Sequence, residues 1–93
     1  MNKYESVVII DPSVDEEKVK ELSQKFTDLI NKDGKVEKVE ELGKKRLAYE
    51  VKKNKEGYYI VFNFEANPIL IAELERNYRI IDEVIKFITV KAE

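Results

Sequence analysis

The hydrophobic pattern of this chain alternates between the two-residue period of a strand and the longer period of an amphipathic helix. Residues 58–65 are rich in aromatic and β-branched side chains, and a two-residue period places positions 58, 60, 62 and 64 on one face, which predicts a strand. Residues 15–32 carry an apolar stripe at helical spacing, which predicts a helix. The complete set of expected elements is strands at 3–10, 36–51, 58–65 and 84–90, and helices at 15–32 and from Asn67–Pro68 onward.

The resulting order, β-α-β-β-α-β, is the split βαβ arrangement of the ferredoxin-like α+β fold. We expect one four-stranded antiparallel sheet with both helices on one face, and right-handed crossovers place the first and third strands in its centre. A length of 93 residues suits one domain, 1–93. The residues expected to be buried are Phe26, Leu29, Leu47, Tyr49, Phe62, Phe64 and Leu74.

Three local signals refine this prediction. Ser13 and Glu16 have the spacing of a capping box at the start of the first helix. Gly43 interrupts the second strand and indicates a bulge that re-aims the residues after it. Residues 54–57, Asn-Lys-Glu-Gly, read as the turn between the second and third strands.

Positive charge is concentrated around this turn. Residues 44–55 hold six of the chain's 17 Lys and Arg residues and one of its 19 Asp and Glu residues, whereas the whole chain has a net charge of −2. Segregated charge of this kind favours a polyanionic partner. The alternative is a solvated hairpin whose lysines discourage edge-to-edge strand pairing.

The face of the sheet without helices is the second expected surface. Alternation places Val7, Ile9, Tyr59 and Val61 there, exposed to water. A contiguous exposed apolar patch usually marks an interface, so we expect a protein partner on this face.

Composition argues against several other functions. The chain has no His and no Cys, which removes the commonest general base and the usual ligands of transition metals. It contains no Gly-rich phosphate loop and no apolar run near the length of a membrane span or signal peptide. We therefore expect a cytoplasmic, non-enzymatic protein without cofactor, metal or small-molecule substrate.

Several segments resemble bacterial-type ribosomal protein six of the small subunit, and the similarity runs from end to end. Residues 43–52, Gly-Lys-Lys-Arg-Leu-Ala-Tyr-Glu-Val-Lys, match that family's signature nearly position by position, with Val51 where the family usually has Ile. The other matching segments are 3–5, Pro12, 36–43, 57–59 and 79–80. The chain stops soon after Lys91, without the longer tail of many members.

The resemblance implies a structural protein of the ribosome that binds the central domain of small-subunit ribosomal RNA together with ribosomal protein eighteen, which is small and basic. On this reading the basic hairpin contacts phosphates, and Arg46 is the best candidate for a bidentate contact. Lys3 joins the hairpin if the first strand lies beside the third. The expected RNA-binding residues are Lys3, Lys44, Lys45, Arg46, Lys52 and Lys53.

Two alternatives remain on the same fold. Residues 55–62 echo the RNA-recognition motif, in which aromatic residues of the third strand stack bases, although the register is poor. A regulatory or ligand-binding module without RNA is the other alternative, because fold alone does not determine function.

Overall fold

The computed structural model describes residues 1–92 and contains one antiparallel sheet and two helices. The strand order is β2-β3-β1-β4, so the first and third strands are central as predicted. This confirms the ferredoxin-like α+β prediction. The elements are β1 Asn2–Ile10, α1 Glu16–Asp33, β2 Lys35–Val51, β3 Asn54–Ala66, α2 Pro68–Ile80 and β4 Val84–Lys91.

The first helix is capped by a different residue from the one expected. Asp15 accepts a hydrogen bond from the Lys18 backbone nitrogen at 2.9 Å and is the N-cap of α1. Ser13 instead donates its backbone N–H and its hydroxyl to the Asp11 carboxylate, at 2.8 and 2.7 Å, and these bonds lower the pKa of Asp11. The capping-box prediction is therefore wrong, because a carboxylate directly before the helix meets the free amides and the helix dipole.

The core lies between the helices and one face of the sheet. Phe26 of α1 is fully buried and makes edge-to-face contacts with Phe62 at 6.2 Å and Tyr78 at 4.8 Å between ring centroids. Phe64 and Leu74 are also buried, and Leu29 packs against the core from its edge. Phe26, Phe62, Phe64 and Leu74 are therefore buried as predicted, whereas Leu29 is only partly buried.

The two remaining predicted core residues, Leu47 and Tyr49, do not reach the core. Leu47 is only half-buried and lies outside the core, and the Tyr49 side chain is 65% exposed. The register of β2 against β3 shifts between Val36 and Lys38 and again between Glu41 and Gly43. Each shift adds one residue to β2 and turns the following side chains to the other face, so the unpredicted first shift cancels the effect of the predicted one at Gly43 and leaves Leu47 and Tyr49 facing away from the core. Gly43, at φ +80°, forms the second bulge as predicted.

One polar network is buried within this core. The Tyr78 and Ser6 hydroxyls lie 2.8 Å apart, and Ser6 also bonds the Thr89 hydroxyl at 3.0 Å. Burial raises the pKa of Tyr78 far above its ordinary value, so the phenol stays protonated. The network joins α2 to the two strands β1 and β4.

We expect Ser6→Ala to destabilise the protein more than Tyr78→Phe. Removing the phenol hydroxyl leaves Ser6 bonded to Thr89 and should lower the free energy of unfolding by about 1 kcal/mol. Removing the serine hydroxyl leaves the buried Tyr78 hydroxyl without its partner and should lower it by about 1–3 kcal/mol. Urea denaturation of both variants measures the two free energies of unfolding. A larger loss of stability for Tyr78→Phe than for Ser6→Ala would contradict this view of the network.

Candidate nucleic-acid interface

The cations of residues 44–55 lie on a hairpin that extends beyond the rest of the sheet. Ile10, the last residue of β1, pairs with Tyr58, and Lys44 pairs with Tyr58 from the other side. Residues 45–57 therefore have no strand-pairing partner in β1. We call residues 44–57 the basic hairpin; its cations are Lys44, Lys45, Arg46, Lys52, Lys53 and Lys55, all of them exposed.

The turn of the basic hairpin consists of Lys52 and Lys53. Val51 pairs with Asn54, and both intervening lysines have positive φ, 48° and 67°, as in a type I′ turn. The turn predicted at residues 54–57 is therefore wrong, since those residues belong to β3. Asn-Gly is the usual sequence for this turn, and lysines in the left-handed region are strained. The tip of the hairpin thus carries two ammonium groups at positions where Asn or Gly would adopt the turn conformation with less strain.

The cations of the basic hairpin are not neutralised by the protein. Within residues 1–92, ion pairs join Lys38 to Glu40 at 3.6 Å and Arg79 to Glu75 at 3.8 Å, and none includes a hairpin cation. The Lys44 ammonium lies 5.3 Å from the centre of the Tyr58 ring, a weak attraction that leaves its charge in water. The hairpin therefore offers several exposed positive charges to an anionic partner.

Lys3 does not join this group. Although β1 does lie beside β3, Lys3 pairs with Glu65, whereas the hairpin begins at the other end of β3. Eight residues of extended chain separate Glu65 from Gly57, the nearer end of the hairpin, a span of roughly 26 Å. A contact of Lys3 with the same partner requires a ligand that reaches along most of β3.

The face of the sheet opposite the helices, which we call the open face, brings together the four predicted residues. Val7 pairs with Val61, and Ile9 pairs with Tyr59. Val7, Val61 and Tyr59 are half-buried, but Ile9 is only 7% exposed, so the expectation that Ile9 is left in water is wrong. The basic hairpin covers it.

Sequence reasoning missed the contribution of β4 to the open face. Ile88 pairs with Val7 and is 56% exposed, and Val90 pairs with Glu5 and is 48% exposed. The alternation of residues 84–90 already indicated that Ile88 and Val90 share one face of the strand. Only the strand order shows that this face lies beside β1. They extend the apolar patch to the edge of the sheet.

A direct contact links the hairpin to the open face. The Lys86 ammonium donates a hydrogen bond to the Tyr49 hydroxyl at 2.6 Å. This bond and the positive charge of Lys86 stabilise the phenolate and lower the pKa of Tyr49. The two residues are 37 positions apart, so no local pattern indicated the contact.

A groove of about 390 Å³ lies beside α1. Its lining includes two acids and two lysines, Glu16, Glu41, Lys20 and Lys44. These charges balance, and in residues 1–92 no buried side-chain nitrogen or oxygen lacks a hydrogen-bond partner.

Comparison with protein families matches residues 3–91 to the model of ribosomal protein S6. The chain belongs to the ribosomal protein S6 family. This confirms the resemblance noted from the signature at residues 43–52. Members of the family are structural proteins of the small ribosomal subunit, and the chain is therefore a protein of the ribosome in the cytoplasm.

Individual relatives support this membership. Small ribosomal subunit protein bS6 of Alkaliphilus oremlandii is 47% identical over 93 residues, which cover all of this chain and 99% of that protein. The bS6 protein of Helicobacter hepaticus is 46% identical over 94 residues, covering all of this chain and 69% of that protein. The crystal structure of 30S ribosomal protein S6 from Thermotoga maritima has a TM-score of 0.93 and 38% identity, covering 98% of this chain and 87% of that one.

Residues 1–92 contain neither a membrane-spanning helix nor a metal-binding cluster of acidic, His or Cys side chains. No helix there is long and apolar enough to cross a membrane. No group of three or more Asp, Glu, His or Cys side chains in that part of the chain could hold a metal ion.

Proposed function

We propose that this S6-family protein binds the central domain of small-subunit ribosomal RNA through its basic hairpin, and ribosomal protein eighteen through its open face. The observation that carries the proposal is the set of exposed hairpin cations without ion-pair partners in the described residues. The role is structural and non-enzymatic, in keeping with a chain that has no His or Cys.

Phosphate is the RNA group that best suits this hairpin. Its charged residues are five lysines and one arginine against Glu50 and Glu56, and ammonium and guanidinium groups bind phosphate oxygens strongly. Lys52 and Lys53 place two charges at the tip, and Arg46 can donate two parallel hydrogen bonds to one phosphate. Such contacts position the protein on RNA without reading its sequence.

A basic protein partner suits the remaining surface. Outside residues 44–55 the chain has 18 acids and 11 bases, so a cationic partner is attracted to the body of the protein. The exposed parts of Val7, Val61, Ile88 and Val90 give that partner apolar area to bury. Ribosomal protein eighteen, which is basic, has the required charge.

Arg46→Ala tests the phosphate mechanism. Each phosphate contact releases counterions and contributes roughly 0.7–0.9 to the slope of log affinity against log salt. We expect the variant to bind small-subunit RNA fragments more weakly, in the presence of ribosomal protein eighteen, and with a slope shallower by about one unit. Filter binding over a series of salt concentrations measures both quantities.

Tyr59→Ala provides the comparison, since stacking of bases on the sheet predicts another result. Loss of a stacked base weakens binding by ~1–3 kcal/mol and hardly changes the salt slope. Tyr59 pairs with Ile9 on the open face and is half-buried, so we expect only a small loss of RNA affinity. An unchanged slope for Arg46→Ala, together with a large loss for Tyr59→Ala, would contradict the proposal.

A further inference from the structure

The outer part of the basic hairpin is folded back over the open face. Tyr49 lies on β2 and Lys86 on β4, and the strand order makes these the two edge strands of the sheet. Their hydrogen bond of 2.6 Å therefore spans both central strands. A contact between opposite edges is possible only because the hairpin bends toward that face.

The region beneath this contact is protected from water. Ile9 is 7% exposed although it lies on the face without helices. It shares a small cavity of about 80 Å³ with Leu47, Tyr49, Tyr59 and Lys86. The hairpin thus buries apolar surface as well as forming the hydrogen bond.

Backbone pairing alone does not set the angle of the hairpin. Arg46 pairs with Glu56 and Val51 with Asn54, so four residues of β2 lie opposite one residue of β3. This large irregularity interrupts the regular ladder and bends the strand. The hairpin therefore depends on side-chain contacts beyond Arg46 to keep one orientation.

We propose that Tyr49 and Lys86 form a latch that sets the angle between the basic hairpin and the sheet, and that both are positioning residues for RNA binding. This inference rests on the RNA-binding role proposed above. A latched hairpin presents its cations in one arrangement, and a binding surface ordered in advance loses less conformational entropy on association. Opening the latch weakens binding without removing any phosphate contact.

Tyr49→Phe tests the latch because it retains the ring and removes only the hydroxyl. In the free protein we expect faster hydrogen exchange of hairpin amides than in the wild type. RNA affinity should fall about two- to tenfold, the equivalent of one net hydrogen bond, with an unchanged salt slope. Tyr4→Phe is the matched control: its hydroxyl accepts a hydrogen bond from Asn2 at 3.4 Å, at the other end of the sheet, and its loss should alter neither hairpin exchange nor RNA affinity.

Lys86→Met provides a second route to the open hairpin. It should accelerate hydrogen exchange of the same amides. It should also raise the pKa of Tyr49 toward its ordinary value, as measured by ultraviolet titration. If the hairpin amides of both variants exchanged hydrogen at the wild-type rate, the proposed latch would be overturned. Faster exchange with unchanged RNA affinity would overturn the positioning role. Absence of RNA binding by the wild-type protein with its partner would instead show that the RNA-binding proposal itself has failed, and the positioning role with it.

Discussion

Phe26→Ala is expected to lower the free energy of unfolding by about 3–5 kcal/mol, the largest stability effect among the variants considered. The Phe26 ring is fully buried and touches both Phe62 of β3 and Tyr78 of α2, so its removal leaves a cavity where three elements meet. The surrounding rings cannot all move into that space, because each also packs against the rest of the core. Urea denaturation monitored by circular dichroism measures the loss.

Ile69→Ala is the matched control for this experiment. Ile69 is a large apolar residue of α2 but is 84% exposed, so its truncation should change the free energy of unfolding by less than about 0.5 kcal/mol. A loss below about 1 kcal/mol for Phe26→Ala would show that the packing of α1 on the sheet is wrongly assigned.

Reversing two charges of the basic hairpin should separate the two proposed interfaces. In the double variant Lys44→Glu, Lys45→Glu, two phosphate contacts are lost, which corresponds to roughly a 15- to 30-fold loss of RNA affinity at 0.15 M salt. Repulsion between the new carboxylates and RNA adds to that loss. Binding of ribosomal protein eighteen should remain, since the apolar residues of the open face are unchanged.

Lys25→Glu, Lys32→Glu is the control with the same change in net charge. Both lysines are exposed on α1, on the side of the sheet opposite the open face. We expect this variant to bind RNA close to the wild-type level, with gel-shift titration and calorimetry reporting the RNA and protein complexes separately. If the hairpin variant lost the protein complex but retained RNA, the two surfaces would have to be exchanged.

The order of the elements and most of the core followed from local patterns. Alternation in β3 identified Phe62 and Phe64 as core residues, and the helical stripe of α1 identified Phe26. These assignments succeed because neighbouring positions on a strand or helix have a fixed geometric relation, so a period read from the sequence also gives the buried face. The cationic segment was equally visible, since charge is a property of composition.

The cap of α1 and the position of the hairpin turn were harder to predict. Ser13 was predicted to cap α1, but Asp15 caps it, and the hairpin turn lies at residues 52–53 instead of the predicted 54–57. Asn and Gly favour turns on average, but the register of β2 with β3 places two lysines there instead. Backbone pairing along the whole hairpin outweighs the turn propensity of single residues.

Only the tertiary structure decided which way the hairpin faces. A bulge between Val36 and Lys38, which the sequence did not indicate, reverses the change of face made by the predicted bulge at Gly43, so Leu47 and Tyr49 lie toward the open face instead of the core. The burial of Ile9 and the bond between Tyr49 and Lys86 then depend on strands that are distant in the sequence. The sequence by itself determined the elements, their order and the position of the positive charge, because these depend on local periodicity and composition. The register, the bend of the hairpin and the contact across the open face were decided by pairing between distant segments, which no local period encodes.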